Sequence, residues 1–262
     1  MDILLTNDDG IDSTGIRVLY DVLSDIGDVL LVAPATDQSA IGRAMSNEVR
    51  VEERDIGYAI EGTPSDCVVA GLEAIGPYPD LVVAGCNKGA NLGAYVLGRS
   101  GTVSAAVEAA FFGVPAIAVS LYIPEDRWPE APSAREYSNA ALATRYLAEH
   151  ANGAGVFEQA EYLNVNAPLP DGDEVAPMAI THPSHAHEMD ATRDEDGVIT
   201  LHDRVWKQMM EGTTQDPEGS DRRAVMEGKV SVSPLTAPHT TERHESLDAL
   251  AQTYPGPDAD LR

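Results

Sequence analysis

The first half of the chain alternates short apolar runs with segments that have helical periodicity. The apolar runs lack the polar alternation of a half-exposed strand, which indicates strands that are buried on both faces. Buried strands separated by helices are typical of a parallel sheet covered by helices on both sides. We therefore predict a Rossmann-like, three-layer α/β/α fold with a mostly parallel sheet. The predicted strands are residues 3–6, 28–33, 81–84, 115–120, 162–165 and 229–232, and the predicted helices are residues 15–26, 67–75, 102–112, 135–149 and 246–251.

Carboxylates dominate the charge of the chain. Asp and Glu number 43 against 17 Lys and Arg, which gives a formal net charge of −26. Such a charge repels long nucleic acids and anionic membranes, so we expect neither as a partner. The acids are spread along the whole chain and aromatic content is only 5%. We interpret this composition as adaptation to a high-salt cytoplasm, where screening relaxes the self-repulsion.

The second half of the chain follows the α/β pattern less closely. We predict a core at residues 1–182 and a C-terminal extension at 183–262 that returns to the core. Residues 183–228 are largely polar, and they are consistent with an excursion, a subunit contact or a partly ordered loop. Cys67 and Cys86 lie in apolar surroundings without metal-ligand spacing, which favours buried free thiols. No apolar run approaches membrane-spanning length, and we expect a cytoplasmic protein.

A pair of adjacent carboxylates follows the first predicted strand, in the sequence Asn7-Asp8-Asp9-Gly10. Ligands of open parallel sheets bind beyond the carboxyl ends of the strands, which is where this pair falls. Adjacent carboxylates repel each other, and a hard cation such as Mg²⁺ or Mn²⁺ relieves that repulsion. A solvated turn that caps the next helix is the alternative, because turns also favour Asp and Gly.

Neutral oxygen ligands follow two other predicted strands. Ser39 lies in "VAPATDQSAIG" and Asn87 lies in "VAGCNKGANLG". Together with Asp8 and Asp9 they would surround a Mg²⁺-like ion and leave positions for water and substrate. Each of the two also fits an ordinary turn or cap residue.

The glycine-rich segment at residues 85–101 leads into a helix whose first residues suit an anion. Free N–H groups and the positive end of the helix dipole favour phosphate at this position. Ordinary N-capping is the alternative for the same residues. The candidate phosphate contacts are Asn91, Ser100, Gly101 and Thr102, with Lys88 and Arg99 nearby.

Five sequence blocks in this order resemble the SurE family of metal-dependent nucleoside-monophosphate phosphatases. They cover about the first 120 residues and are more specific together than any one motif. One departure is Arg99, where the family usually has an aromatic residue. The blocks are "LLTNDDGIDSTGI", "VAPATDQSAIG", "GTPSDCV", "PDLVVAGCNKGANLG" and "SGTVSAAVEAAFFGVPAIAVS".

The resemblance implies hydrolysis of nucleoside 5′- or 3′-monophosphates to nucleoside and phosphate with one divalent cation, Mg²⁺ or Mn²⁺, per subunit. It assigns Asp8, Asp9, Ser39 and Asn87 as metal ligands, with Asn91 and the residues from Ser100 to Thr102 on the phosphate. We expect Asp8 and Asp9 to be the catalytic residues and a metal-activated water to attack with Asp8 assisting. The family also forms homodimers or homotetramers through its C-terminal portion.

Two alternatives remain open from the sequence. One is a phospho-acceptor signalling or nucleotide-binding module without hydrolysis, because receiver domains also hold Mg²⁺ with paired acids after their first strand. A receiver would place a third acid after a central strand and a lysine after a later one, and neither is evident here. The other is a second metal site at His182, His185 and His187, against which an exposed polar loop is the stronger interpretation.

Overall fold

The computed structural model of the chain describes residues 1–237, and the helix predicted at residues 246–251 lies outside this range. Within the described residues, nine strands form one sheet in the order β3-β4-β2-β1-β5-β6-β7-β11-β8, and β9 pairs with β10 in a separate hairpin. The strands are β1 (Asp2–Thr6), β2 (Asp28–Pro34), β3 (Val51–Arg54), β4 (Gly57–Ile60), β5 (Leu81–Lys88), β6 (Ala116–Leu121), β7 (Tyr162–Ala167), β8 (Met178–Ile180), β9 (Met189–Arg193), β10 (Ile199–Asp203) and β11 (Val230–Leu235).

Helices cover both faces of the large sheet. One apolar layer packs α1 and α5 against the sheet, and a second layer on the other face packs α2 and α4. Six strands that are neighbours in the sheet, β4-β2-β1-β5-β6-β7, run parallel. On either side of them, β3 pairs antiparallel with β4 and β11 pairs antiparallel with β7. The predicted three-layer, mostly parallel fold is therefore confirmed. The helices are α1 (Thr14–Ser24), α2 (Pro64–Ala70), α3 (Ala94–Leu97), α4 (Gly101–Phe111), α5 (Ser138–His150), α6 (Val205–Glu211) and α7 (Asp221–Met226).

The strand order reverses between β1 and β5. From β1 the chain proceeds outward to β2 and β4 on one side, and then returns to place β5, β6 and β7 on the other. The carboxyl ends of β1 and β5 diverge at such a switch point and leave a crevice between the loops that follow them. The paired carboxylates follow β1 directly, so the fold places them in this crevice.

The predicted strand at residues 81–84 is too short, because β5 continues to Lys88. Its register with β6 shifts between Ala84 and Asn87, which marks a bulge. Gly85 allows the bulge, since a Cβ there would lie 2.2 Å from the Val119 carbonyl oxygen. The glycine-rich loop thus begins about four residues later than predicted, and Asn87 lies within the strand.

A β-hairpin at the sheet edge was not predicted from the sequence. It consists of β3, which is fully exposed, and β4, which pairs parallel with β2. The sequence of β3, Val-Glu-Glu-Arg, shows no buried face because the strand has none. Hydrophobic periodicity cannot detect a strand of this kind.

The polar segment at residues 183–228 leaves the large sheet and returns to it. It contains the hairpin of β9 and β10 and the short helices α6 and α7. The chain then re-enters as β11 between β7 and β8, so the predicted return to the core is observed. The division of the chain at residue 182 stays a prediction.

Cys67 and Cys86 are buried free thiols, as expected. Within residues 1–237, no helix combines the length and the apolar character that a membrane span needs.

Candidate metal and phosphate site

The turn after β1 is held by a buried asparagine. Asn7 Nδ2 donates to the Gly10 carbonyl at 2.9 Å and to Ser13 Oγ at 2.8 Å, and Asn7 Oδ1 accepts from the Gly10 N–H. Gly10 has φ +96°, a conformation that favours glycine. Asn7 therefore positions the two acids that follow it, a role that sequence reasoning did not assign.

Asp8 lies against the start of α4. Its Oδ1 accepts from Thr102 Oγ1 at 2.5 Å and its Oδ2 accepts from the Thr102 N–H at 3.1 Å. Gly101 permits this approach, because a Cβ there would lie 2.8 Å from Asp8 Cβ. The structure therefore joins the first carboxylate to the predicted phosphate-binding helix. Sequence reasoning placed Thr102 on phosphate and missed its bond to Asp8.

Asp9 faces β5 on the other side of the switch point. Its Oδ2 accepts from the Lys88 N–H at 2.8 Å. The pKa of Asp9 is raised to about 7. Burial is the main cause, and the neighbouring Asp8 carboxylate is the second. Burial likewise raises the pKa of Asp8, against the hydrogen bonds that Thr102 donates. A cation between the two carboxylates would offset both effects and favour their charged forms.

Ser39 lies in the turn that packs on the Asp8 backbone. The Gln38 N–H donates to the Asp8 carbonyl at 2.7 Å and brings this turn to the switch point. Ser39 itself is exposed, and its Oγ donates to Asp37 Oδ1 at 2.6 Å. The Asp37 carboxylate acts electrostatically on both Asp8 and Asp9. Asp37 is thus a third acid near the site that the sequence did not single out.

Asn87 presents an amide oxygen at the end of β5. Its Nδ2 donates to the Gly89 carbonyl at 2.6 Å, which leaves Oδ1 free to accept. Two carboxylates and an amide oxygen are hard ligands, and this donor set fits Mg²⁺ or Mn²⁺. Within residues 1–237, no group of three or more His, Cys, Asp and Glu side chains is arranged to hold a metal ion. A metal at the switch point therefore depends on neutral oxygens as well as on the two acids.

The first turn of α4 retains one free backbone donor. Ser100 is the N-cap residue, and its Oγ accepts from the Val103 N–H at 3.1 Å. The Thr102 N–H is taken by Asp8, whereas the Gly101 N–H has no acceptor within the described residues. The positive end of the helix dipole and the Gly101 N–H thus remain available to an anion.

Asn91 is a buried residue of the glycine-rich loop. Its Nδ2 donates to Ser120 Oγ at 2.8 Å, and its backbone carbonyl accepts from the side-chain amides of Asn164 and Asn166. Asn166 Oδ1 in turn accepts from the Asn91 N–H at 2.7 Å. In this arrangement Asn91 anchors the loop to β6 and β7, and its role on phosphate stays a prediction.

Two basic side chains near the site are engaged with aromatic rings. Lys88 Nζ lies 5.4 Å from the centre of the Trp128 ring, and the Arg99 guanidinium lies 4.3 Å from that of Tyr95. Arg99 also lies 3.9 Å from an Asp203 carboxylate oxygen. The ring that Arg99 contacts stacks on His187, 5.2 Å away. Tyr95, four residues before Arg99 in the chain, thus holds an aromatic ring against the Arg99 guanidinium.

The switch point brings together paired carboxylates, a free amide oxygen and a helix N-terminus. This combination is typical of α/β enzymes that act on phosphate groups with a divalent cation. The comparisons with known proteins agree with this class. The chain belongs to the SurE family, because the family described as "Survival protein SurE" matches residues 3–190.

Curated relatives cover nearly the whole chain. It is 66% identical over 256 residues to 5′-nucleotidase SurE of Haloarcula marismortui, across 96% of this chain and 94% of that protein. It is 38% identical over 243 residues to 5′-nucleotidase SurE of Archaeoglobus fulgidus, across 90% of this chain and 91% of that protein. The similarity to a haloarchaeal protein supports the interpretation of the acidic composition as an adaptation to high salt.

A solved structure has the same fold. The crystal structure of SurE protein from Aquifex aeolicus matches with a TM-score of 0.78 and 30% sequence identity, across 96% of this chain and all of that one. The resemblance seen in the first 120 residues therefore extends through the polar second half.

Proposed function

We propose that this chain is a metal-dependent phosphomonoesterase that hydrolyses nucleoside 5′-monophosphates to nucleoside and phosphate. The observation that carries the proposal is the position of Asp8. It is buried at the switch point and hydrogen-bonded to the first turn of α4, so a cation on the carboxylates and a phosphate on the helix would be neighbours. The names of the curated relatives support the same activity.

The residues proposed to hold the cation are Asp8, Asp9, Asn87 and Ser39, and Mg²⁺ or Mn²⁺ fits their oxygen atoms. Ser39 would have to exchange its bond to Asp37 for the metal, whereas Asn87 Oδ1 is already free. When bound, the cation supplies charge neutralisation on the phosphate and a water of lowered pKa.

The phosphate would lie at the start of α4. The Gly101 N–H and the helix dipole stabilise charge on the phosphoryl oxygens, and the N-cap residue Ser100 sets the direction of the first turn. Attack of water on phosphorus breaks the bond to the nucleoside oxygen, which takes up a proton from bulk water as it leaves. Asp8 would accept the proton from the attacking water, and Thr102 holds the Asp8 carboxylate for that step.

The signalling alternative is not favoured. A receiver domain needs a third acid after a central strand, and β5 carries Asn87 there. It also needs a lysine after a later strand, but β6 continues from Leu121 into Tyr122. The curated relative that matches 96% of this chain is named 5′-nucleotidase SurE.

We also propose that the enzyme is a cytoplasmic homodimer or homotetramer and that the segment from residue 183 contributes the contact. The hairpin of β9 and β10 exposes Val198, Ile199 and Leu201, which are 58%, 59% and 69% exposed. A patch of this kind on a charged protein is typical of an interface. Light scattering in molar KCl would give the mass, and Leu201→Glu should shift the assembly toward monomer. An unchanged assembly would remove the hairpin from the interface.

The function is tested by phosphate release from 5′- and 3′-mononucleotides in molar KCl with Mg²⁺, Mn²⁺ or EDTA. We expect release that EDTA abolishes, and the panel ranks the substrates and metals. Asp8→Asn and Asp9→Asn should each remove most of this activity without unfolding the protein. The matched control is Asp12→Asn, an exposed acid of the same loop that pairs with Arg17. Full activity of either active-site variant at saturating metal would refute the site.

A further inference from the structure

A cavity of about 280 Å³ opens beside the candidate metal site. Its walls include Trp128, which follows a short 3-10 helix, and Trp206 on α6, together with Tyr122. These are the two tryptophans of the whole chain. The lining is mainly apolar, with two carboxylates at the rim. We call this cavity the tryptophan pocket.

The tryptophan pocket adjoins the switch point at Gly89, which lines the pocket. A Cβ on Gly89 would lie 2.7 Å from Trp128 Cη2 and 4.0 Å from Asn87 Nδ2, so the glycine separates the indole from the candidate metal ligand. The same residue binds Asn87 through its carbonyl, at 2.6 Å. A ligand with its phosphate at the metal could therefore reach the indole with its other end.

Charge at the rim selects what can enter. The Glu125 carboxylate lines the cavity and has no salt-bridge or hydrogen-bond partner among residues 1–237, so it is available as an acceptor. The other rim acid, Asp203, is already engaged, since it accepts from the Val205 N–H at 3.3 Å and lies near Arg99. Carboxylates repel a phosphate but accept hydrogen bonds from N–H donors.

We propose that the tryptophan pocket binds the nucleobase of the substrate and makes the enzyme prefer adenine and cytosine, the bases that carry an amino group at the 6- or 4-position. The proposal rests on the proposed function and adds the specificity of that same site. The two indoles and Tyr122 offer π-faces, on which a base stacks. Glu125 would accept from the 6-amino group of adenine or the 4-amino group of cytosine, which lie at equivalent positions of the two bases. Guanine, uracil and thymine present a carbonyl at the corresponding position, which the carboxylate repels.

The volume also suits one base. It lies just below the usual range of small-molecule sites, about 300–1,000 Å³, which bury apolar rings and orient them with few polar groups. A peptide or a longer nucleic acid would need a larger groove, and the net charge of −26 opposes the latter.

The first test compares substrates that share a phosphate but differ in the base. We expect kcat/KM to be highest for AMP and CMP, lower for GMP and UMP, and lowest for ribose 5-phosphate, which has no base. Trp128→Leu should lower the ratio of kcat/KM for AMP to that for ribose 5-phosphate by about tenfold, because one stacking contact is lost. Glu125→Gln should lower the AMP to UMP ratio by roughly threefold to tenfold. Tyr146→Leu, an exposed aromatic on α5, is the matched control and should change neither ratio.

The second test needs neither catalysis nor metal. Because both tryptophans line the pocket, intrinsic tryptophan fluorescence reports its occupancy directly. Adenosine added in EDTA should change the emission of the wild-type protein in a saturable manner, and uridine should do so at higher concentration. This measurement keeps the proposal testable even if Trp206→Leu, which removes part of a small apolar cluster, fails to fold.

The outcomes separate this proposal from the proposed function. Metal-dependent phosphate release with equal kcat/KM for AMP and ribose 5-phosphate, and no fluorescence response to adenosine, would overturn the pocket and leave the phosphatase intact. Saturable adenosine binding without phosphate release would retain the pocket and overturn the activity. A preference for UMP over AMP would overturn the role of Glu125.

Discussion

Replacement of Thr102 by valine tests how the fold prepares the metal site. Thr102 is fully buried and donates its hydroxyl to Asp8 Oδ1 at 2.5 Å, while its N–H donates to Oδ2. Valine has nearly the same shape but no hydroxyl, so Asp8 keeps only the backbone bond. The carboxylate is then free to turn away from the geometry that we assign to a metal ligand.

The size of the effect follows from the kind of bond. A hydrogen bond to a charged group contributes about 1.5–3 kcal/mol, and an effect of about 2 kcal/mol corresponds to roughly 30-fold in an equilibrium constant. Loss of a group that orients a metal ligand typically costs about 10- to 100-fold in metal affinity or activity. Both arguments predict that Thr102→Val needs about 30 times more Mg²⁺ or Mn²⁺ for half-maximal activity.

The assay is phosphate release from AMP, titrated with metal at saturating substrate and with AMP at saturating metal. Thr102→Ser keeps the hydroxyl and should restore most of the metal affinity. Thr144→Val removes a buried hydroxyl that bonds only the Ala140 carbonyl in α5, and it should leave the metal titration unchanged. A Thr102→Val enzyme with normal metal affinity but a raised KM for AMP would refute the reasoning and return Thr102 to the phosphate.

Three further perturbations have defined outcomes. Burial opposes ionisation of Asp66, but hydrogen bonds from Ser46 and Thr63 outweigh it and hold the pKa of Asp66 below its usual 3.8. The ionised group therefore stabilises the fold above pH 3.8, and this stabilisation is lost as the pH falls through the folded-state pKa. Asp66→Asn should lower the free energy of unfolding at pH 7, and in acid the free energies of variant and wild type should converge. If urea unfolding gave the same difference in free energy between variant and wild type at pH 7 and in acid, this prediction would be contradicted. Gly101→Ala should reduce activity at least about tenfold with unchanged circular dichroism, because the new Cβ would lie 2.9 Å from Asp8 Oδ2; normal activity would show that the helix can yield. With a net charge of −26, the thermal midpoint should rise steadily with KCl into the molar range, and a salt-independent midpoint in scanning calorimetry would remove the link between composition and salt.

Much of the scaffold follows from local sequence. The apolar runs identify β1, β2, β6 and β7 within one or two residues at each end, because strands buried on both faces leave an unbroken apolar signal. The start of α2 follows from Thr63 and Asp66, whose side chains form the capping box that their spacing suggests. The paired acids after β1 are likewise visible, since the fold class places every strand end at one edge.

The contacts of the site were beyond sequence reasoning. Ser100, Gly101 and Thr102 read as an anion-binding helix start, and nothing local shows that Thr102 points at Asp8. Asn91 reads as a loop donor, although it lies in a buried amide network with Asn164 and Asn166. Such partners come from distant strands, and single-sequence patterns contain no information on which side chains meet.

The sequence by itself determined the fold class, the acid pair at the end of β1 and the high-salt character, because burial, strand spacing and charge are properties of short segments or of the whole composition. The tertiary structure alone decided that Asp8 accepts hydrogen bonds from the first turn of α4 and that Trp128 and Trp206 line one pocket together with Gly89. Those arrangements depend on packing between elements far apart in the chain, which the sheet order brings together at a single switch point.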